Sequence, residues 1–231
     1  MDRPIRFLLL LCTLLLSTPA MAADCVILLH GLGRGSHSMD RIAAALETKG
    51  YHVWNRGYDS TAADVPALAE LAIAPAVAHC AAYDSTHFVT HSLGGILVRV
   101  FFQERDFNGR IVMISPPNQG SELPDVLDEL ALFHRVLGPA AKQLGTDDLP
   151  PRLGPISGEI GVITGDRSSD PWFSWLIPGP DDGKVSVASA RLDEMADFLV
   201  VHEGHSFIML NREVIHQVGY FLANGEFEAE P

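Results

Sequence analysis

Thr90-His91-Ser92-Leu93-Gly94-Gly95 closes an apolar run that begins at Thr86 and opens a helical pattern from Gly94 to Glu104. A serine at such a sharp strand-to-helix turn presents its hydroxyl outward, with the following backbone N–H at a helix start, which is what a nucleophile needs. The spacing is Gly-x-Ser-x-Gly with Thr90 in place of the first glycine. Glycines flank such a turn because strand and helix pass close together and the serine backbone is strained, so Thr90 weakens the match. A Gly-Gly helix start carrying a surface serine is the plainer alternative, and the surrounding chain has to decide between them.

That context is a regular alternation. Short runs rich in Val, Ile and Leu lie at Val26 to Leu29, His52 to Asn55, His87 to Thr90, Arg110 to Ile114, Ile160 to Thr164 and Phe198 to Val201. Helical patterns separate them, at Met39 to Lys49, Val65 to Ala81, Leu93 to Glu104 and Leu123 to Leu137, and a last one covers Arg212 to Leu222. Continuously apolar strands alternating with helices predict a parallel sheet covered on both faces, an α/β fold with about six strands. Right-handed crossovers then bring every strand's C-terminal end, and any site built there, to one edge.

Residues Met1 to Ala22 carry Arg3 and Arg6, an apolar core from Phe7 to Leu16, and small residues three and one before a cut after Ala22. This reads as a secretory signal peptide, too short and wrongly flanked for a membrane span, which places the mature protein in the periplasm or outside the cell. Residues 23–231 then form one domain. The formal net charge of −13 falls further when a segment with two arginines and one aspartate is removed. Such acidity argues against binding to nucleic acid. Cys25 opens the first strand and Cys80 closes a helical run, so both lie at the N-terminal edge of the predicted sheet. In a compartment that permits disulfides a Cys25–Cys80 bridge is the expectation, two separate buried thiols the alternative.

On the elbow at Ser92, the Gly-rich turn His30-Gly31-Leu32-Gly33 after the first strand and the loop Val201-His202-Glu203-Gly204-His205 after the last, the chain resembles the α/β-hydrolases of the small secreted bacterial lipase and esterase type. The resemblance covers Cys25 to Leu222 and lacks the two leading antiparallel strands of larger members. It implies a nucleophile at Ser92, a base at His205 and an oxyanion hole made by the backbone N–H groups of Leu32 and Leu93. A serine hydroxyl needs such a base within hydrogen-bond reach, and the base needs a carboxylate to orient it. Asp182-Gly183-Lys184-Val185 resembles the family's acid loop, which makes Asp182 the acid; Asp181 and Asp166 are the alternatives. His30 and His202 read as residues that pack or hydrogen-bond locally.

The segment 116–155 sits where the family inserts a cap or lid. Within it Leu123, Val126, Leu127, Leu130, Phe133 and Leu137 recur at helical spacing, the stripe of a helix packed on the core. The apolar run Pro171 to Pro178, with Trp172, Phe173 and Trp175, reads as aromatic packing or as part of an acyl pocket or membrane-interface contact. The resemblance implies a lipase or carboxylesterase acting on lipid or acyl esters. Thioesterases and acyltransferases share the machinery, and a non-catalytic binding or chaperone protein of the same fold is the contrasting class. No cofactor is implied and no metal is expected, because His202-Glu203-Gly204-His205 is not His-Glu-x-x-His and supplies no third ligand.

Overall fold

The computed structural model describes residues 24–123, 137–168 and 174–229. The predicted signal peptide, most of the Leu123 to Leu137 stripe, Trp172 and Phe173 lie outside these residues.

Six strands form one sheet: β1 (Cys25–Leu29), β2 (His52–Trp54), β3 (Thr86–His91), β4 (Arg110–Ile114), β5 (Glu159–Gly165) and β6 (Asp197–Val201). Every pairing is parallel, in the order β2-β1-β3-β4-β5-β6. Among the described residues four α-helices connect or cover them: α1 (Asp40–Thr48), α2 (Val65–Cys80), α3 (Leu93–Phe101) and α4 (Arg212–Asn224).

The period-2 alternation of a strand sends its side chains to opposite faces. In β1 that split is complete. Cys25, Ile27 and Leu29 pack with Val65, Leu68 and Ile73 of α2 and Ile96 and Leu97 of α3, while Val26 and Leu28 pack with Ile42 and Leu46 of α1 and Val214, Val218 and Phe221 of α4. All five β1 residues are buried, so the strand reads as a continuous apolar run because both its faces are covered.

Helix ends follow local chemistry. The Asp64 carboxylate accepts from the Ala67 amide to cap α2, and the Asn211 side chain accepts from the Glu213 and Val214 amides to cap α4. Helix α3 stops at Phe101, short of the expected Glu104. There the Arg105 guanidinium bonds the Phe101 carbonyl at 2.6 Å, and Gln103 turns away to exchange two hydrogen bonds with the Gly154 backbone. Cys25 and Cys80 form a disulfide with Cα atoms 5.6 Å apart, tying the start of β1 to the end of α2.

The chain runs from β1 outward to β2 and then returns to lay β3 on the other side of β1. The loops after β1 and β3 therefore diverge from neighbouring strand ends, which opens a crevice at the C-terminal edge of the sheet. His30 and Ser92 begin those two loops.

Candidate active site

Ser92 links β3 directly to α3. Its backbone sits at φ 53°, ψ −121°, a left-handed conformation that a residue with a side chain adopts only when its surroundings force it. The forcing contact is visible at Gly94, where a Cβ atom would lie 2.6 Å from the Leu29 carbonyl oxygen. Helix α3 passes that close to β1, and the turn before it has no room to relax.

The Ser92 hydroxyl donates to Nε2 of His205 at 3.1 Å, and Nδ1 of His205 donates to Oδ2 of Asp182 at 2.8 Å. The three residues come from the ends of β3, the loop before β6 and the loop after it, and they are joined only by tertiary folding. Asp182 is held from every side. Its Oδ1 accepts the amides of Lys184 and Val185 at 3.0 and 2.9 Å, and its carbonyl accepts the His205 amide at 2.8 Å. Burial pushes this carboxyl up, but the His205 charge and hydrogen bond, the Ser115 hydroxyl and the Val185 amide outweigh it and hold Asp182 below the ordinary carboxylate value. A buried carboxylate that stays ionised fixes the tautomer of the imidazole next to it.

The turn after β1 faces Ser92. A Cβ on Gly31 would lie 2.9 Å from His91 Nδ1 and 3.1 Å from the Ser92 Cβ, so this position takes only glycine without displacement. His30 braces the turn: its Nδ1 donates to the Gly31 carbonyl at 2.9 Å, its ring stacks on Tyr58 at 4.3 Å, and the Tyr58 hydroxyl donates to the His30 carbonyl at 2.7 Å. The Gly33 amide is taken by the Ser60 hydroxyl. Among the described residues, no hydrogen bond uses the amides of Leu32 or Leu93. A cavity of about 190 Å³ opens here, lined by Ser92, His205, Leu32, Leu123, Leu137 and Leu144, with Arg34 and Lys184 also in its wall.

Comparison with known proteins bears on the frame that carries this arrangement. No family model and no curated protein matches the chain. Solved structures do. A Bacillus licheniformis lipase in its mature form superposes with a TM-score of 0.68 at 17% identity, over 90% of this chain and 94% of that one. A thermophilic esterase from Thermogutta terrifontis gives 0.59 at 15% identity, over 88% and 91%. A phospholipase from Legionella pneumophila gives 0.53 at 16% identity, over 72% of this chain and 45% of that one. The chain has the α/β-hydrolase fold.

Within the α/β-hydrolase frame the remaining predicted positions separate. Asp166, the topological rival for the acid, bonds His202 Nδ1 at 2.8 Å on the exposed rim and does not reach His205. Asp181 faces away into its own loop, accepting from the Ser174 hydroxyl and the Gly183 amide, both at 2.7 Å. The aromatic run departs from the packing expectation where it is described: Trp175 is 87% exposed, and only Ile177 is buried.

Three residues carry the site without having stood out in the sequence. His91, buried beside Ser92, donates from Nε2 to the His205 carbonyl at 3.1 Å; burial and then the His205 charge hold its pKa well below 6.5, so it stays neutral. Ser115, at the end of β4, is the other non-glycine residue with positive φ, at 50°, and its buried hydroxyl faces Asp182. Arg99 of α3 is a buried cation whose guanidinium donates to the carbonyls of Asn118, Pro150 and Leu153 at 2.8, 3.3 and 2.9 Å. Burial pushes it down to about 10, with Glu194 opposing. A buried arginine on an apolar helix was the one legible signal among the three.

Proposed function

We propose that this protein is an extracytoplasmic serine hydrolase that cleaves carboxylic esters of lipids or related acyl compounds. The observation that carries the reading is the unbroken hydrogen-bond chain from the strained Ser92 hydroxyl through His205 to a buried, ionised Asp182. Ser92 Oγ attacks the ester carbonyl carbon while His205 Nε2 takes its proton, and Asp182 stabilises the imidazolium without being protonated. The oxyanion of the tetrahedral intermediate lies against the N–H groups of Leu32 and Leu93. Collapse breaks the bond to the alcohol oxygen, which leaves with the proton from His205, and water then releases the acyl group by the same steps in reverse.

The lipase, esterase and phospholipase neighbours support an ester as substrate. The apolar part of the cavity wall, Leu32, Leu123, Leu137, Leu144 and Val185, suits an acyl chain. The Cys25–Cys80 disulfide supports a location outside the reducing cytoplasm, in agreement with the leader-like pattern of Met1 to Ala22. No described helix is long and apolar enough to cross a membrane. The exposed side chains of Trp175 and Phe207, two residues beyond His205, support contact with a lipid interface.

The test is covalent. A fluorophosphonate should label the wild type at Ser92, and Ser92→Ala should lose both labelling and roughly 10⁶-fold of kcat on p-nitrophenyl esters while keeping its fold. Wild-type protein that is folded yet neither labelled nor active would instead mark a non-catalytic member of the fold. Added alcohol that diverts the acyl group from water would mark an acyltransferase.

A further inference from the structure

The charged groups in the cavity wall have one sign. Apart from its imidazoles the lining carries Arg34 and Lys184, and among the described residues no carboxylate lines it. The whole chain holds 29 acidic and 16 basic side chains, so composition alone would favour the opposite. Lys184 has a partner of its own, which leaves Arg34 as the group to explain. It lies two residues past Leu32 on the turn after β1 and is half-buried. Its Nη2 donates to the Ser206 carbonyl at 3.1 Å. Among the described residues no carboxylate stands within 4.0 Å of it. A guanidinium has five N–H donors in a planar fork, and a single neutral carbonyl neither uses that fork nor neutralises its charge. The charge is felt in the site, for Arg34 and Lys184 are among the groups that disfavour protonation of His91.

The tether also gives Arg34 a side. Ser206 follows His205, the residue that returns its proton to the departing alcohol, whereas the apolar wall of Leu123, Leu137 and Leu144 belongs to the segment after β4. We propose that Arg34 recognises an anionic oxygen group, a phosphate above all, on the alcohol half of the ester, while the apolar wall takes the acyl half. The substrate class is then an acyl ester of an anionic alcohol, from a phospholipid-type headgroup or from a small soluble phosphate ester. This rests on the ester-hydrolase reading and narrows it. Charge-assisted bidentate bonds to phosphate are the strong kind, and one formed in a half-buried site is expected to change kcat/KM by about 10- to 100-fold.

The experiment compares matched esters on the full mature protein. Turnover of 1-butanoyl-glycerol-3-phosphate is set against 1-butanoyl-glycerol in solution, and of 1-decanoyl-glycerol-3-phosphate against 1-decanoyl-glycerol. The expected result is a preference for the anionic member of each pair by about 10-fold or more, shrinking as salt is raised. In Arg34→Gln the ratio should collapse toward one, and Arg34→Lys should restore part of it. A higher kcat/KM on the decanoyl phosphate assigns a lipid source, and on the butanoyl phosphate a soluble one. A wild-type ratio of one or below overturns the proposal without needing any variant. So does an Arg34→Gln protein in which both members of a pair fall alike, since Arg34 would then be only a tether between two loops. Turnover of neutral esters with no charge preference defeats this proposal alone. Failure to turn over or be labelled at all defeats the hydrolase reading, and this one with it.

Discussion

Asp182 is the residue at which the electrostatics of the site are decided. It is wholly buried, accepts two backbone amides on one oxygen and the imidazole on the other, and remains below the ordinary carboxylate value despite its burial. Asp182→Asn keeps the shape but removes the charge and disfavours the tautomer that leaves Nε2 free to accept the Ser92 proton. The expected loss is about 10⁴ in kcat with KM little changed, measurable in steady-state kinetics on a p-nitrophenyl ester. In sequence Asp182 and Asp181 are adjacent carboxylates in an Asp-Asp-Gly turn, and periodicity does not distinguish them. The fold does, by turning Asp181 onto Ser174 and Gly183 and Asp182 onto His205.

Helix α3 serves two ends of the site. Its start holds the Ser92 turn, and Arg99 near its end binds the carbonyls of Asn118, Pro150 and Leu153, fastening the segment after β4 that lends Leu123, Leu137 and Leu144 to the cavity wall. Arg99→Met fits the apolar surroundings but leaves the Asn118 and Leu153 carbonyls without a donor. It should cost about 3 kcal/mol in urea unfolding and raise KM more than it lowers kcat, because the wall loosens while the Ser92, His205 and Asp182 contacts persist. The strands were readable to within a residue or two as short apolar runs, the four central ones covered on both faces and the edge strands β2 and β6 only partly buried. The end of α3 was not, because Gln103 and Arg105 stop the helix through bonds to Gly154 and to the backbone of Phe101.

Over the whole molecule the sheet is joined at its N-terminal edge by a covalent clip and at its C-terminal edge by polar contacts. The Cys25–Cys80 bridge closes a loop with a sequence separation of 55 residues. Such a closure is worth about 4 kcal/mol on chain-entropy grounds, so denaturation with and without a reductant, or of Cys80→Ser, should show that difference while leaving the distant Ser92 site active until unfolding begins. Stability should also depend on acidity. His30, His87 and His91 are each held below the ordinary histidine value of 6.5, chiefly by burial. The unfolded chain therefore binds protons that the folded one refuses once pH drops below about 6.5. Stability should be flat between about pH 7.5 and 9 and should decline below 6.5, by at most about 1.4 kcal/mol per pH unit for each histidine. Asp182 adds a separate loss below about pH 3.8, where the unfolded carboxyl protonates first. Urea midpoints at pH 8, 6 and 5 would check the histidine part.

The sequence by itself determined the alternation of strands and helices, the parallel sheet, the place of the crevice at the strands' C-terminal ends and the serine that enters it, because these follow from local periodicity and from chirality rules that act on short stretches. Only the tertiary structure decided that His205 reaches Ser92, that Asp182 rather than Asp166 stands behind it, and that His91, Ser115 and Arg34 lie around them. Those relations join residues 23 to 172 positions apart in the chain. Contacts of that span leave no periodic trace in the sequence, and they exist only once the burial of both sheet faces has fixed where each loop emerges.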